Sequence, residues 1–129
     1  MSDIPQGLRY TSEHEYLKST DEPDVFSVGI TDYAQGELGD VVYLELPSAG
    51  DPFQGGDTFG TIEAVKAVSD LYCPLDGEIV SVNESLDGDP SLVNSDPYGE
   101  GWMVRLRISD PSEVDGLMDA AAYAEHIGD

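Results

Sequence analysis

The sequence predicts a mostly β fold of many short strands, and three observations carry that expectation. Apolar residues alternate with polar ones in short runs, the period of half-buried strands. Between the runs stand 14 Gly and 8 Pro, scattered as turn punctuation and not gathered into a low-complexity segment. Gly39-Asp40-Val41-Val42 is echoed by Gly77-Glu78-Ile79-Val80, each opening a strand after a glycine turn. Two such halves are what a flattened barrel of two interlocked sheets would show. The length of 129 residues fits one domain, 1–129, able to bury a core without disulfide staples.

Each element follows from its local chemistry. Arg9 to Lys18 alternates loosely and reads as a first strand, and Ser19 to Pro23 is a turn. Val25 to Ile30 completes a hairpin. Thr31 is placed to cap a short helix over Asp32–Leu38 that Gly39 ends. Val41 to Leu46 is the clearest strand, and Pro47 to Gly56 is turn-rich. Phe59–Val65 and Ala67–Tyr72 read as two strands meeting near Lys66. Leu75-Asp76-Gly77 turns into a strand over Glu78–Asn83. Asp87 to Gly101 holds short turns or one brief helix, and Trp102 to Ile108 alternates as a last strand. Ser109 or Asp110 caps a final helix that starts at Pro111 and runs to about His126.

Charge excludes whole function classes. Lys and Arg total 5 against 27 acids, a net charge of −22, so phosphate backbones and anionic membranes should be repelled and no nucleic-acid partner is expected. The acids run along the whole chain, which is the surface pattern of a halophile; an ordinary acidic protein is the plainer alternative. Cys73 stands alone and lies in the apolar run Leu71-Tyr72-Cys73-Pro74, which suits a packed residue in a reducing compartment. No apolar run of membrane-spanning length is present, and Met1-Ser2-Asp3-Ile4-Pro5 lacks a basic-then-apolar signal pattern. A cytoplasmic, monomeric protein is expected.

Chemistry concentrates at Gly60-Thr61-Ile62-Glu63-Ala64-Val65-Lys66-Ala67-Val68-Ser69-Asp70. Lys66 is one of two lysines and sits inside an apolar run, where solubility alone would call for an acid. At a hairpin tip its amine would stand clear on a stiff base, a geometry suited to a long covalent arm. A gatekeeper lysine that blocks edge-to-edge strand pairing accounts for the same spacing, and the residues alone leave both readings open.

Glu63-Ala64-Val65-Lys66-Ala67-Val68-Ser69-Asp70 resembles the lipoylation motif of glycine cleavage H proteins, with Ala64 where that family more often has serine. Three further segments resemble the family in the same order: His14-Glu15-Tyr16; Gly29 to Gln35 with Leu38-Gly39-Asp40-Val41-Val42; and Leu92-Val93-Asn94 with Pro97-Tyr98-Gly99-Glu100-Gly101-Trp102. The resemblance covers about residues 8–126. It implies a lipoyl-domain-like barrel-sandwich hybrid with short helices and a C-terminal helix. It implies lipoate in amide linkage to Lys66, with Glu63 as a recognition residue for the lipoate-attaching enzyme. Glu15 and Asp70 match positions lining a cleft where a loaded arm rests. The implied role is a non-catalytic carrier of an aminomethyl group from a pyridoxal-phosphate glycine decarboxylase to a tetrahydrofolate-dependent aminomethyltransferase. Electrons then pass to dihydrolipoamide dehydrogenase.

The nearest alternative is a lipoyl or biotinyl carrier domain of another multienzyme system. A biotinyl domain would usually place methionines beside the lysine, whereas here the neighbours are Val65 and Ala67. A module whose lysine is never modified is a further class. No Ser/His/Asp set, phosphate loop or metal cluster argues for an enzyme, and His14 reads as a packed or capping residue. Asp87-Gly88-Asp89 has Leu92 where a calcium loop needs glycine, and the sequon at Asn83-Glu84-Ser85 is irrelevant to a cytoplasmic chain.

Overall fold

A computed structural model describes residues 3–128. Met1 and Ser2, the start of the segment read for a signal pattern, and Asp129, the end of the expected domain, lie outside the described residues. The chain runs through β1 (Arg9–Tyr10), β2 (Glu15–Ser19), β3 (Val25–Ile30), α1 (Asp32–Leu38), β4 (Val41–Glu45) and β5 (Pro52–Phe53). It continues through β6 (Thr58–Ala64), β7 (Val68–Tyr72), β8 (Gly77–Val82), one-turn helices α2 (Ser85–Gly88) and α3 (Leu92–Ser95), β9 (Val104–Ile108), a 3-10 segment (Pro111–Gly116) and α4 (Ala120–Ile127).

Two antiparallel sheets result. The larger has the order β1-β2-β3-β9-β8-β5 and the smaller β4-β6-β7. Both edges of the larger sheet are two-residue strands, so it stays open: the fold is a sandwich of two sheets, not a closed barrel. Alternation drives the core between them. Leu17, Val28, Ile79, Leu106 and Ile108 of the larger sheet join Leu44, Phe59, Ile62 and Leu71 of the smaller in one apolar cluster. At about 1.5–3 kcal/mol for each large apolar side chain buried, that cluster is the main stabilising term. A second cluster packs α4 on β1 and β2 through Tyr123, Tyr10 and Tyr16, with Tyr10 and Tyr123 stacked at 4.7 Å between ring centroids.

The differences from the expected elements have local causes. The first strand is two strands folded into a hairpin, because the chain turns at Thr11–His14, where Thr11 N–H donates to Glu15 O and His14 adopts φ 70°. Asp110 caps the final helix as expected, but that helix stops at Gly116. Met118 then forms a bridge to Tyr10, and Asp119 caps a separate α4. The 3.6-residue period cannot register that tertiary pairing. Strand β5 is too short to carry any alternation.

Candidate functional site

Lys66 lies in the bend between β6 and β7. The last paired residues of the hairpin are Glu63 and Val68, and Ala64 N–H donates to Ala67 O at 2.8 Å, leaving Val65 and Lys66 as the bend itself. A second tie fixes the tip from outside: Val65 N–H donates to Asp40 O at 2.9 Å. Asp40 is fixed in turn by Asn94, whose Oδ1 accepts from Val41 N–H at 2.8 Å. Its Nδ2 donates to Gly39 O and to Gln35 Oε1, each at 2.9 Å. Gly39 closes α1 at φ 84°, and a methyl group there would stand 2.8 Å from Lys66 Cε, so the lysine stem lies over a residue with no side chain.

The surroundings of the bend are apolar in an otherwise acidic chain. Val65 is 71% exposed, Val68 66%, Tyr43 55% and Val42 52%. Tyr43, Glu63 and Val68 share one cross-strand row. Among the described residues Lys66 makes no ion pair. Its amine is exposed and uncommitted.

Glu15 and Asp70 line one cavity of about 260 Å³, together with Tyr33, Leu38, Ile62 and Leu71. Leu38, which lines the cavity, adjoins Gly39, over which the Lys66 stem lies. The two acids differ. Asp70 is exposed on β7, opposite Thr61. Glu15 is buried, its Oε2 accepting from Tyr72 N–H at 3.0 Å and its Oε1 from Thr11 Oγ1 at 3.4 Å. Burial pushes its carboxyl up to about 8, against the opposing pull of those hydrogen bonds. His14 lines the same cavity, with Nδ1 at 2.9 Å from Tyr123 OH, and burial with nearby His126 lowers its pKa. Glu63 is exposed on β6, on the hairpin that carries Lys66 and outside the cavity.

Sequence reasoning gave Asn94 no role and read Gly39-Asp40 only as a helix end and strand turn, with no part in the site, although both stand in quoted segments. Their paired occurrence, a Leu-Gly-Asp turn and a distant Leu-Val-Asn, was the available signal. Cys73 is buried in the core, and burial pushes its thiol up to about 11, which leaves it an inert packed group. Among the described residues no group of three or more His, Cys, Asp or Glu is placed to hold a metal, and no helix is long and apolar enough to cross a membrane.

The arrangement offers a free amine on a stiff tip beside a cavity lined by four acids, Glu13, Glu15, Glu37 and Asp70. Comparison with known proteins gives it a family. The family described as Glycine cleavage H-protein matches residues 8–129. The glycine cleavage system H protein of Chlorobium limicola is 53% identical over 126 residues, 98% of each chain. That of Bacteroides thetaiotaomicron is 52% identical over 120 residues, 93% of this chain and 94% of the relative. The crystal structure of a glycine cleavage system H protein from Mycobacterium marinum superimposes with a TM-score of 0.87 at 36% identity, covering 97% of this chain and 99% of that one. The chain therefore belongs to the glycine cleavage H-protein family, carrier components of the glycine cleavage system.

Proposed function

We propose that this chain is a lipoyl carrier whose lipoate is joined as an amide to Lys66 Nζ. It carries an aminomethyl group from a pyridoxal-phosphate glycine decarboxylase to a tetrahydrofolate-dependent aminomethyltransferase, and electrons onward to dihydrolipoamide dehydrogenase. The observation that carries the reading is Lys66 itself: an exposed amine without an acid partner, on a bend pinned from two sides, in a chain of this family. The dithiolane of lipoate supplies the redox and group-transfer chemistry when bound. The protein's share is to fix the root of the arm and raise its effective concentration at each partner. It is non-catalytic in this reading, monomeric and cytoplasmic. Its acidic surface is that of a halophile.

Peptide mass mapping of the chain from its native host tests the attachment. One lipoyl group on Lys66 is expected, with slower modification in Glu63→Gln if Glu63 marks the bend for the lipoate-attaching enzyme. Lys66→Arg should fold within about ±0.5 kcal/mol of wild type and support no glycine exchange in a reconstituted system. Lipoate on Lys18, or biotin anywhere, would overturn the assignment.

Glu15 and Asp70 are in this reading the acids that shelter the cationic end of the loaded arm. Glu15 is largely protonated at neutral pH in the free protein, and an arriving ammonium would draw it to the ionised form. A charged hydrogen bond formed there is worth about 1.5–3 kcal/mol. Glu15→Gln and Asp70→Asn should shorten the life of the loaded carrier, read as ammonia and formaldehyde released without partner enzymes. Equal lifetimes in all three proteins would remove both acids from the role.

A further inference from the structure

A second arrangement lies on the larger sheet, away from Lys66. Lys18 on β2 pairs across with Ser27 on β3, Ser27 with Arg105 on β9, and Arg105 with Ser81 on β8. Residues directly opposite share a face, so one row reads Lys18-Ser27-Arg105-Ser81, with the two cations two strands apart, about 10 Å at the backbone. The small Ser27 between them leaves a hollow. A cavity of about 660 Å³ stands there, lined by Lys18, Arg105, Trp102, Tyr98 and the two serines.

Neither cation is neutralised. Arg105 stacks on Trp102, with Cζ 4.4 Å from the ring centroid, and its Nε donates to Ser27 Oγ at 3.4 Å. Among the described residues its two terminal nitrogens have no protein acceptor. Lys18 Nζ donates to Tyr98 O at 3.1 Å and, among the described residues, has no acid within ion-pair distance. The contrast with the other arginines is informative. Arg9 pairs with Asp115, and Arg107 with Asp24 and Glu22. Of the 5 Lys and Arg, Lys18, Lys66 and Arg105 stand without an ion pair among the described residues, and of these three Lys18 and Arg105 share one cross-strand row. Asp21, Glu22 and Glu100 line the same cavity without closing on Lys18 or Arg105.

We propose that Lys18 and Arg105 form a binding site for a single oxyanion group, a carboxylate or a phosphate, on a small molecule. Stacking on Trp102 fixes the guanidinium plane and leaves its fork free, the geometry that takes a planar carboxylate or a phosphate edge in two hydrogen bonds. The acids at the rim exclude polyanions by repulsion, so one oxyanion group fits where a charged polymer does not.

Trp102 is the chain's single tryptophan, so its emission reports on this site. The full-length protein is titrated with inorganic phosphate in one arm and acetate in another, at ionic strength held constant with potassium chloride. A saturable change is expected in at least one arm, and which arm responds identifies the oxyanion. Binding should weaken about tenfold in Lys18→Gln, the loss of one charged hydrogen bond. Removing Arg105 alters Trp102 emission by itself, so Arg105→Gln is followed by calorimetry, with Arg105→Lys expected between it and wild type. Both positions are exposed, and circular dichroism checks the fold of each variant. Non-saturable responses in both arms, or wild-type affinity in Lys18→Gln and Arg105→Gln, would overturn the site.

Discussion

Glu15 is buried, with Tyr72 N–H and Thr11 Oγ1 donating to its carboxyl, and the consequence is measurable in stability. The unfolded chain ionises this group near 4.5, while the fold keeps its proton to about 8. Between those values the unfolded state sheds a proton that the folded state retains, so the contribution of Glu15 is intact below 4.5 and is lost as pH rises through 8. Glu15→Gln keeps a carbonyl oxygen for the Tyr72 N–H and removes the titration. The variant should gain on wild type between pH 5 and pH 8.5 by on the order of 4 kcal/mol, read from urea melts at each pH. Parallel stability curves would mean that Glu15 titrates near its ordinary value. The residue scale also shows the limit of the sequence. Lys66 stood out because lysine is scarce and its neighbours are apolar. The burial of Glu15 was illegible, because the turn at Thr11–His14 that aims it inward depends on a positive φ at a histidine, a conformation that few non-glycine residues adopt.

Elements position the lysine more than its own hairpin does. The two-residue bend is held against the Gly39–Val41 segment, and that segment is held by two of the three hydrogen bonds of Asn94, the third going to Gln35 on α1; Asn94 is delivered by the single turn of α3. Asn94→Ala should leave Val41 N–H and Gly39 O unpartnered in a partly buried setting and cost about 1–3 kcal/mol. Because the loss falls on the support of the bend, lipoylation of Lys66 should slow as well, measured as initial rate with a purified attaching enzyme. A variant that is destabilised but modified at the wild-type rate would separate the support from the site. Most of this scaffold was legible: β3, α1 with its Thr31 cap, β4, and the β6–β7 hairpin all follow from alternation and capping chemistry. The pairing of α3 with α1 was not legible, since Asn94 acts 53 residues from Val41 and no local period encodes a contact at that distance. Gly60 is a further case. A side chain there would collide with Glu45 O on β4, so the glycine sets how closely the hairpin approaches its neighbour, which only the sheet order reveals.

At the scale of the whole molecule the charge is out of balance with the fold. The described ion pairs engage two arginines, Arg9 and Arg107, with three acids. The remaining acids face one another across a small surface, and folding concentrates them relative to the extended chain, so self-repulsion opposes the compact state. Screening relieves this, and its dependence on salt has a recognisable shape. The Debye length falls from about 10 Å at 0.1 M to about 3 Å at 1 M, so most of the relief comes below 1 M and then levels off. Salting-out of apolar surface, by contrast, keeps strengthening with salt concentration. The expected outcome in a potassium chloride series is a melting temperature that climbs steeply from millimolar salt and bends toward a plateau. A relief of about 2–3 kcal/mol corresponds to roughly 10 °C for a domain of this size. Sucrose, which is excluded from the surface without screening charge, should give no such bend. A melting temperature flat across the series would refute both the repulsion account and the halophile reading. A straight-line rise would assign the effect to apolar surface, where the exposed Val42, Tyr43, Val65 and Val68 around the bend are the largest contributors.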